Sequence, residues 1–395
     1  MRLRASGWVL LACAVLGCER RPEGASVSSP AVPSADAGVL LIGMVGSLTG
    51  PEAHFGLGTR DGVQLAIEEA NRDGGVDGRV LVLRAYDAQS KPEEAAAAAV
   101  RLVKSDRAVL VIGENASSNT LAMAPAVAGA GVPLISPSAT HPRVTAEGGP
   151  YVFRVCFVDS FQGEAMAGFA RRDLRLSRLA ILTDAKSDYS IGLADVFRRK
   201  FRELGGQVTA EESYSKGDSD FRALLTRVKS TRPEAIFIPG YYSDAGPIAR
   251  QARELGIEAV LLGADGWDSG GKLSELGGAA VEGSYYSTHF SPDNPSLTVQ
   301  AFLKTYRARF GQLPDALSAL GYDAARVGIA ALRVTGGAGG DALRAAIAAT
   351  RDVPGVTGRL SFDADRNVVK SAVVVRMVRG EPSFFAELLS GRPSR

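Results

Sequence analysis

Small hydroxyl side chains follow two short apolar runs in the first half of the chain. Asn115–Thr120 (NASSNT) comes after Val109–Gly113, and Ser136–Thr140 (SPSAT) comes after Leu134–Ile135. An Ala-rich helix is expected over Leu121–Ala130, stopped by Gly131-Val132-Pro133. Strand, polar turn, helix, strand, polar turn places both hydroxyl clusters at the carboxyl ends of neighbouring strands, where open α/β sheets bind ligands. Free N–H groups at the helix start favour an anion, so Ser117 fits one half of a site for a carboxylate. Ser117, Ser118 and Asn119 equally fit a plain helix cap, because Ser and Asn are preferred there.

Other polar and aromatic groups fall at strand ends too. Ser47-Leu48-Thr49-Gly50 follows the first apolar run, with Phe55 shortly after. Tyr189 ends Thr183–Tyr189 (TDAKSDY), Tyr241 and Tyr242 follow Ala235–Gly240, and Asp265 follows Ala259–Gly263. Hydroxyls and helix N–H groups suit a carboxylate, an acid suits an ammonium, and aromatic walls suit the rest of a small zwitterion. Singly, each has a plainer reading: a tyrosine at a strand end packs the rim, and an Asp before Gly forms turns. Their shared position is what points to a pocket.

Marks of catalysis are missing. The three histidines, His54, His141 and His289, are not at metal-ligand spacing, and there is no CxxC and no GxSxG. Gly266-xxxx-Gly271-Lys272 begins like a phosphate loop, but Leu273 stands where Ser or Thr would hold magnesium. Gly56-x-Gly58-xxx-Gly62 is one residue too long for a dinucleotide fingerprint. His141, before Pro142, is expected to face solvent. These features describe a binding protein, not an enzyme, with no cofactor and no metal.

The elements that would carry these groups alternate. Strands are expected at Leu40–Val45, Val80–Ala85, Val109–Gly113, Leu134–Ile135, Tyr151–Phe157, Arg178–Thr183, Val208–Glu212, Ala235–Ile238 and Ala259–Gly263, with Ala372–Val378 as the last. Helices are expected at Gly56–Arg72, Pro92–Ser105, Leu121–Ala130, Phe161–Arg172, Ile191–Leu204, Phe221–Ser230, Ala245–Leu255, Asn294–Gly311 and Asp315–Thr335. This rhythm means α/β architecture: doubly wound parallel sheets with helices on both faces. From Val39 to the end the body has roughly 350 residues, too many for one ordinary core, and suggests two lobes.

Residues 1–17 read as a secretory signal: Arg2 and Arg4, then the apolar Trp8–Leu16, too short to span a bilayer. Val15-Leu16-Gly17-Cys18 resembles the bacterial lipobox, which would make Cys18 the lipid-bearing residue. Leu10-Leu11-Ala12-Cys13 fits the same pattern but leaves too short an apolar region, and a plain signal with an incidental Cys is the other reading. Glu19, where Asp would signal inner-membrane retention, favours the outer membrane. Residues 18–38, rich in Pro, Ser, Ala and Gly, read as a flexible tether. Without Arg2 and Arg4 the 45 basic residues fall to 43, equal to the 43 acidic ones, which argues against a general nucleic-acid binder. Cys156 is then the one cysteine left in the body, flanked by Val155 and Phe157 and expected to be a buried thiol.

In order along the body, Gly46-Ser47-Leu48-Thr49-Gly50, Asn71-Arg72-Asp73-Gly74-Gly75, Tyr86-Asp87, Val111-Ile112-Gly113 with Ala116-Ser117-Ser118, Ile135 to Thr140, Phe153-Arg154 with Gln162-Gly163, Asp184 to Tyr189 and Gly240-Tyr241 form a specific series. By these residues the chain resembles the Leu/Ile/Val-binding family of periplasmic substrate-binding proteins, receptors of branched-chain amino-acid ABC transporters. The resemblance implies the type I periplasmic-binding fold, two lobes joined by three crossovers that close over a ligand. The crossovers are expected near Asp159, Phe290 and Pro354, giving one lobe of 39–158 plus 291–353 and another of 159–290 plus 354–395. It implies that Ser117 binds the ligand carboxylate and that the Ser138 carbonyl takes the ammonium, with Ala139 and the Thr140 hydroxyl beside it. Phe55 would line the side-chain pocket, Tyr189 and Tyr241 would close from the second lobe, and Asp265 would complete the ammonium site. It further implies an ABC permease as partner, a monomer, and a periplasmic, membrane-anchored location. Three departures stand out. Asp265 is shorter than the Glu often found there, Ser138 replaces an Ala, and Ser90 and Ala116 occupy the positions of a disulfide found in the best-known members. The same fold with an amide, urea, a peptide or an aromatic acid as ligand, or serving as a sensor, remains an alternative, as does an enzyme of the envelope.

Overall fold

Runs of Val, Leu and Ile buried on both faces become parallel strands, and alternation along each run divides the side chains between two layers of helices. The computed structural model describes residues 38–390; the signal over 1–17, Cys18 and the tether up to residue 37 lie outside the described residues. The first sheet holds β1 (Val39–Gly46), β2 (Val80–Asp87), β3 (Leu110–Gly113), β4 (Leu134–Ser136) and β5 (Val152–Arg154) in the order β2-β1-β3-β4-β5, all parallel. Leu40, Ile42, Leu110, Ile112 and Ile135 point to one core. It is covered by α1 (Ala53–Arg72), α10 (Leu297–Phe310), α11 (Ala316–Val334) and α12 (Gly340–Ala348). Val45, Val111 and Leu134 point to the other, under α2 (Pro92–Lys104), α3 (Ser117–Ala130) and the short α4 (Arg143–Gly148).

A second sheet holds β6 (Arg178–Asp184), β7 (Gln207–Tyr214), β8 (Ala235–Phe237), β9 (Val260–Gly263), β10 (Tyr285–Thr288), β13 (Ala372–Val378) and β14 (Glu381–Leu388), in the order β14-β13-β10-β9-β8-β6-β7. The parallel sheet is as expected, with two antiparallel strands added at one edge. β7, β6, β8, β9 and β10 run parallel, but β13 is antiparallel to β10 and β14 is antiparallel to β13. The tight Arg379-Gly380 turn, with both residues at positive φ, reverses the chain and makes β14 the edge strand. β14 was not expected because its outer face is exposed and Pro382 interrupts its pattern. The helices of this half are α5 (Asp159–Arg172), α6 (Asp188–Glu203), α7 (Arg222–Ser230), α8 (Tyr242–Glu254) and the short α9 (Lys272–Gly277).

The chain passes from the first sheet to the second after β5, returns after β10 to form α10 to α12, and passes back once more to reach β13. The third passage lies later than the sequence placed it. The hairpin of β11 (Val353–Gly355) and β12 (Gly358–Leu360) follows Pro354, yet Val356, Leu360, Phe362 and Val368 bury their side chains in the first core. Asp323 of α11 anchors the hairpin by accepting from the backbone N–H groups of Val356 and Thr357, both at 2.9 Å. The expected strand Tyr151–Phe157 shortens to β5, and Cys156 beyond it is a buried, free thiol, pushed up to about 12 by burial. No helix among the described residues is long and apolar enough to cross a membrane.

The closest helix packing is between α1 and α11. A Cβ on Gly62 would stand 2.0 Å from the Ser318 carbonyl oxygen, and one on Gly321 would stand 2.5 Å from that of Thr59. Gly56 likewise abuts the backbone of Ser47. The glycine spacing that fell short of a dinucleotide fingerprint thus serves backbone-to-backbone contact. Gly62→Ala is expected to cost about 1–3 kcal/mol of stability by overpacking, read as a lower urea midpoint. An unchanged midpoint would show that the helices do not approach so closely.

Candidate functional site

In a doubly wound sheet the loops diverge where strand order reverses, and a crevice opens there. In the first sheet that point lies between β1 and β3, which are neighbours while β2 sits on the far side of β1. In the second it lies between β6 and β8, with β7 beyond β6. The loops from both points meet. Phe55, Asn115, Ser117, Ser138, Ala316 and Leu317 come from the first side, Tyr189, Tyr241, Asp265 and Gly266 from the second, and His289 from the return passage. Together they enclose about 20 Å³, room for about one water, so any larger molecule enters only as the two sides separate.

The polar cluster after β3 is not a turn ahead of the helix, as expected, but its first turn. α3 starts at Ser117, with extended Ala116 as its cap residue and no side-chain cap bond. The plain-cap reading of Ser117, Ser118 and Asn119 is therefore replaced: these residues form the first turn of α3, and Ser117 lines the cavity. The Ser117 Oγ accepts from the His141 N–H at 3.2 Å. Glu114 braces the same bend from behind, its carboxyl accepting from the Ser47 hydroxyl (2.6 Å) and the Ala116 N–H (2.6 Å). Ser138 exchanges bonds with Asn115: its Oγ accepts from Asn115 Nδ2 at 3.0 Å and donates to the Asn115 carbonyl at 3.3 Å. The 138–145 loop is clamped by the buried Arg154, which donates to the carbonyls of Ala139 (2.8 Å), His141 (2.8 Å) and Pro142 (3.2 Å) and to the Thr145 hydroxyl (3.0 Å).

On the second side, Asp265 opens a short 3-10 turn after β9, pinned by Trp267, whose indole N–H donates to the Ile238 carbonyl at 3.0 Å. Asp265 Oδ1 accepts from Gln162 Nε2 (2.9 Å) and the Tyr189 hydroxyl (2.8 Å), and Oδ2 faces His289 Nε2 at 3.2 Å. Gln162 cannot turn: its Oε1 accepts from the Asp265 N–H and the Ser287 hydroxyl, and its Nε2 also donates to Asp159. Burial pushes His289 down to about 4, against the pull of Asp265, so the ring is neutral near pH 7. Burial, then the Asp265 charge, raises the Tyr189 phenol well above its usual range. The partners of Asp265 are thus an amide, a phenol and a neutral imidazole, none of them positively charged. Asp159, wholly buried, is pushed up to about 8, first by burial and then by Asp265.

Aromatic rings close the site. Tyr189 and Tyr241 stack at 5.2 Å, and Phe55 meets Tyr241 edge-on at 5.6 Å and Tyr242 at 5.1 Å. Polar contacts tie the two sides outside the cavity. Lys216 Nζ reaches Glu52 at 2.7 Å, and Asp188 accepts from Arg143 at 2.8 Å and Ser118 at 3.0 Å.

Of the residues singled out in the sequence, Phe55, Ser117, Ser138, Tyr189, Tyr241 and Asp265 line one cavity. Ala139 and Thr140 do not; both are buried behind Ser138, with Thr140 turned toward Asp159. Ser47 and Thr49 are spent elsewhere, Ser47 on Glu114 and Thr49 on Asp87 (2.5 Å). His141 does not face solvent but is half-buried, its ring against Gly192 of α6. Asn115, Gln162, His289 and Leu317 were given no site role from the sequence. His289 had a signal: it directly follows Tyr285–Thr288, an aromatic and β-branched run that reads as a strand. A pocket with a carboxylate at one end and a helix N-terminus with a serine at the other holds opposite charges apart, as a zwitterion needs.

A family model described as periplasmic binding protein matches residues 40–382. The Leu/Ile/Val-binding protein homolog 1 of Brucella suis is 30% identical over 324 residues, 82% of this chain and 86% of its own. The crystal structure of the leucine-binding protein LivK of Thermotoga maritima superposes with a TM-score of 0.85 at 38% identity, covering 89% of this chain and 99% of that one. The branched-chain amino-acid substrate-binding protein LivJ of Streptococcus pneumoniae, in complex with isoleucine, gives 0.83 at 35% identity, covering 88% and 98%.

Asp159 keeps its proton in the folded chain up to about pH 8, against an ordinary value of 3.8. Folding therefore takes up a proton between those values. This contribution to stability is fully present below 3.8 and is lost as pH rises through 8. Asp159→Asn keeps an acceptor for Gln162 and removes the titration. Its denaturation midpoint is expected to pull ahead of wild type as pH rises from about 4 to about 8; midpoints that run parallel over that range would contradict this.

Proposed function

Because the chain belongs to the periplasmic binding protein family, we propose that it is the substrate-binding protein of an ABC transporter and captures an amino acid, branched-chain or related, between its two sheets. The observation that carries this reading is the opposition of Asp265 on one side of the cavity to Ser117 and the α3 N-terminus on the other. Ser117 and the first N–H groups of α3 take the ligand carboxylate. Asp265 and the Ser138 carbonyl take the ammonium, with Ala139 and Thr140 shaping the loop behind. Phe55, Tyr241 and Leu317 pack the side chain, and Tyr189 closes over it while fixing Asp265. No bond is made or broken; binding shifts an equilibrium between open and closed forms, because the closed form adds the contacts of the second side.

The hinge consists of the three passages between sheets, the third drawn to about residue 370, so that one lobe is 39–158 with 291–369 and the other 159–290 with 370 onward. Lipid attachment at Cys18 and the tether that follows would hold the body at a membrane in the periplasm, where a permease receives the ligand. The protein acts as a monomer in this reading, since the ligand contacts all come from one chain.

A thermal-shift panel tests it, on protein refolded once to strip carried-over ligand. The panel holds the twenty amino acids, urea, small amides and aromatic acids at about 1 mM. A micromolar ligand adds about 4 kcal/mol at that concentration, a shift of several degrees. A rise with one or more amino acids, lost in Asp265→Ala, is expected. A rise only with ligands lacking an ammonium would remove Asp265 from its role and give the site to an amide or an aromatic acid.

A further inference from the structure

Two residues that line the cavity each carry a buried side-chain atom without a hydrogen-bond partner, His289 Nδ1 and Asn115 Oδ1. His289 Nε2 faces the Asp265 carboxylate, which only accepts, so Nε2 carries the proton. The ring is neutral, so Nδ1 is a bare lone pair. Stacking on Phe157, with centroids 3.7 Å apart and planes 25° from parallel, fixes the ring. For Asn115, the Thr59 hydroxyl donates to the Leu317 carbonyl (3.5 Å) and the Ser138 hydroxyl to the Asn115 carbonyl (3.3 Å). Asn115 Nδ2 donates to both hydroxyls, at 2.9 and 3.0 Å, and Oδ1 is left without a partner. Asn115 follows β3 and His289 follows β10, so the two acceptors come from different sheets.

We propose that His289 contacts the ligand and sets its specificity, selecting an amino acid whose side chain carries a hydrogen-bond donor, a hydroxyl or a carboxamide. This rests on the amino-acid reading above. In that reading Asp265 and the 138–140 loop use the ammonium N–H groups, so a donor for Nδ1 comes from the side chain. A purely hydrocarbon side chain in the cavity would leave both acceptors unpaired in a dry site, at a cost in affinity. Phe55, Tyr241 and Leu317 still make the remaining wall apolar, which excludes a charged side chain and favours a short, uncharged polar one.

Near-isosteric pairs isolate the effect. Isothermal titration compares threonine with valine and asparagine with leucine, on wild type, His289→Phe and His289→Gln. Wild type is expected to bind the donor-bearing member of at least one pair more tightly by about tenfold or more, the cost of an unpaired buried acceptor. His289→Phe keeps the stacking on Phe157 but removes the acceptor, and is expected to abolish or invert the preference. His289→Gln offers an N–H to Asp265 and a carbonyl to the ligand, and is expected to retain it. Wild type binding valine and leucine as tightly as threonine and asparagine would overturn the proposal. So would an unchanged ratio in a His289→Phe variant that still binds. Wild type binding no amino acid at all would instead overturn the amino-acid reading on which it stands.

Discussion

A carboxylate buried between two sheets is costly unless donors surround it, and the hydrogen bonds to Asp265 draw together parts of the chain far apart in sequence. Gln162 comes from the first residues of α5, Tyr189 from the first turn of α6, and His289 from the strand that leads back to the first sheet. These three segments include two of the passages between sheets. Satisfying one acid therefore ties the ends of these three segments together. None of these three donors carries a positive charge.

The opposite side is built by the same economy of strand ends. β1 and β3 lie side by side, so the bend after β3 sits over the crevice, and Glu114 and Ser136 tie that bend to its neighbours. The α1–α11 contact, with backbone against backbone at Gly62 and Gly321, brings the start of α11 close enough for Ala316 and Leu317 to line the cavity. Residues that never touch the cavity hold those that do: Arg154 clamps the 138–145 loop, and Asp315 caps α11 while pairing with His54 at 2.6 Å. The contacts between the two sides include Phe55 on Tyr241, Lys216 on Glu52 and Asp188 on Arg143, and these lie beyond the strands. That is the distribution expected of parts that part and rejoin.

Much of this was legible in the sequence because the strands are short buried runs and the helices strongly periodic. Phe55, Ser117, Ser138, Tyr189, Tyr241 and Asp265, which line the cavity, stood out by their position at strand ends. What escaped was set by tertiary context. Pro382 and a solvent-facing pattern hid β14, and β10, though readable as a strand, is only four residues long and was passed over with His289. Gln162 and Arg154 were seen as motif residues, but a local pattern cannot say which distant carboxylate or carbonyl a side chain will meet. The hairpin after Pro354 crossed back later than expected because Asp323, distant in sequence, holds it to the first core. Ser47 and Thr49 misled in the opposite sense: their position matched the site, but Glu114 and Asp87 use their hydroxyls.

The central claim is that a ligand draws the two sides together by giving Asp265 and Ser117 a shared partner. Small-angle X-ray scattering on ligand-stripped protein, with and without a saturating amount of the amino acid that gives the largest thermal shift, tests it directly. The radius of gyration is expected to fall on addition of the amino acid in wild type and to stay constant in Asp265→Ala. A radius that does not change in wild type at saturation would contradict the account, since binding would then occur without closure.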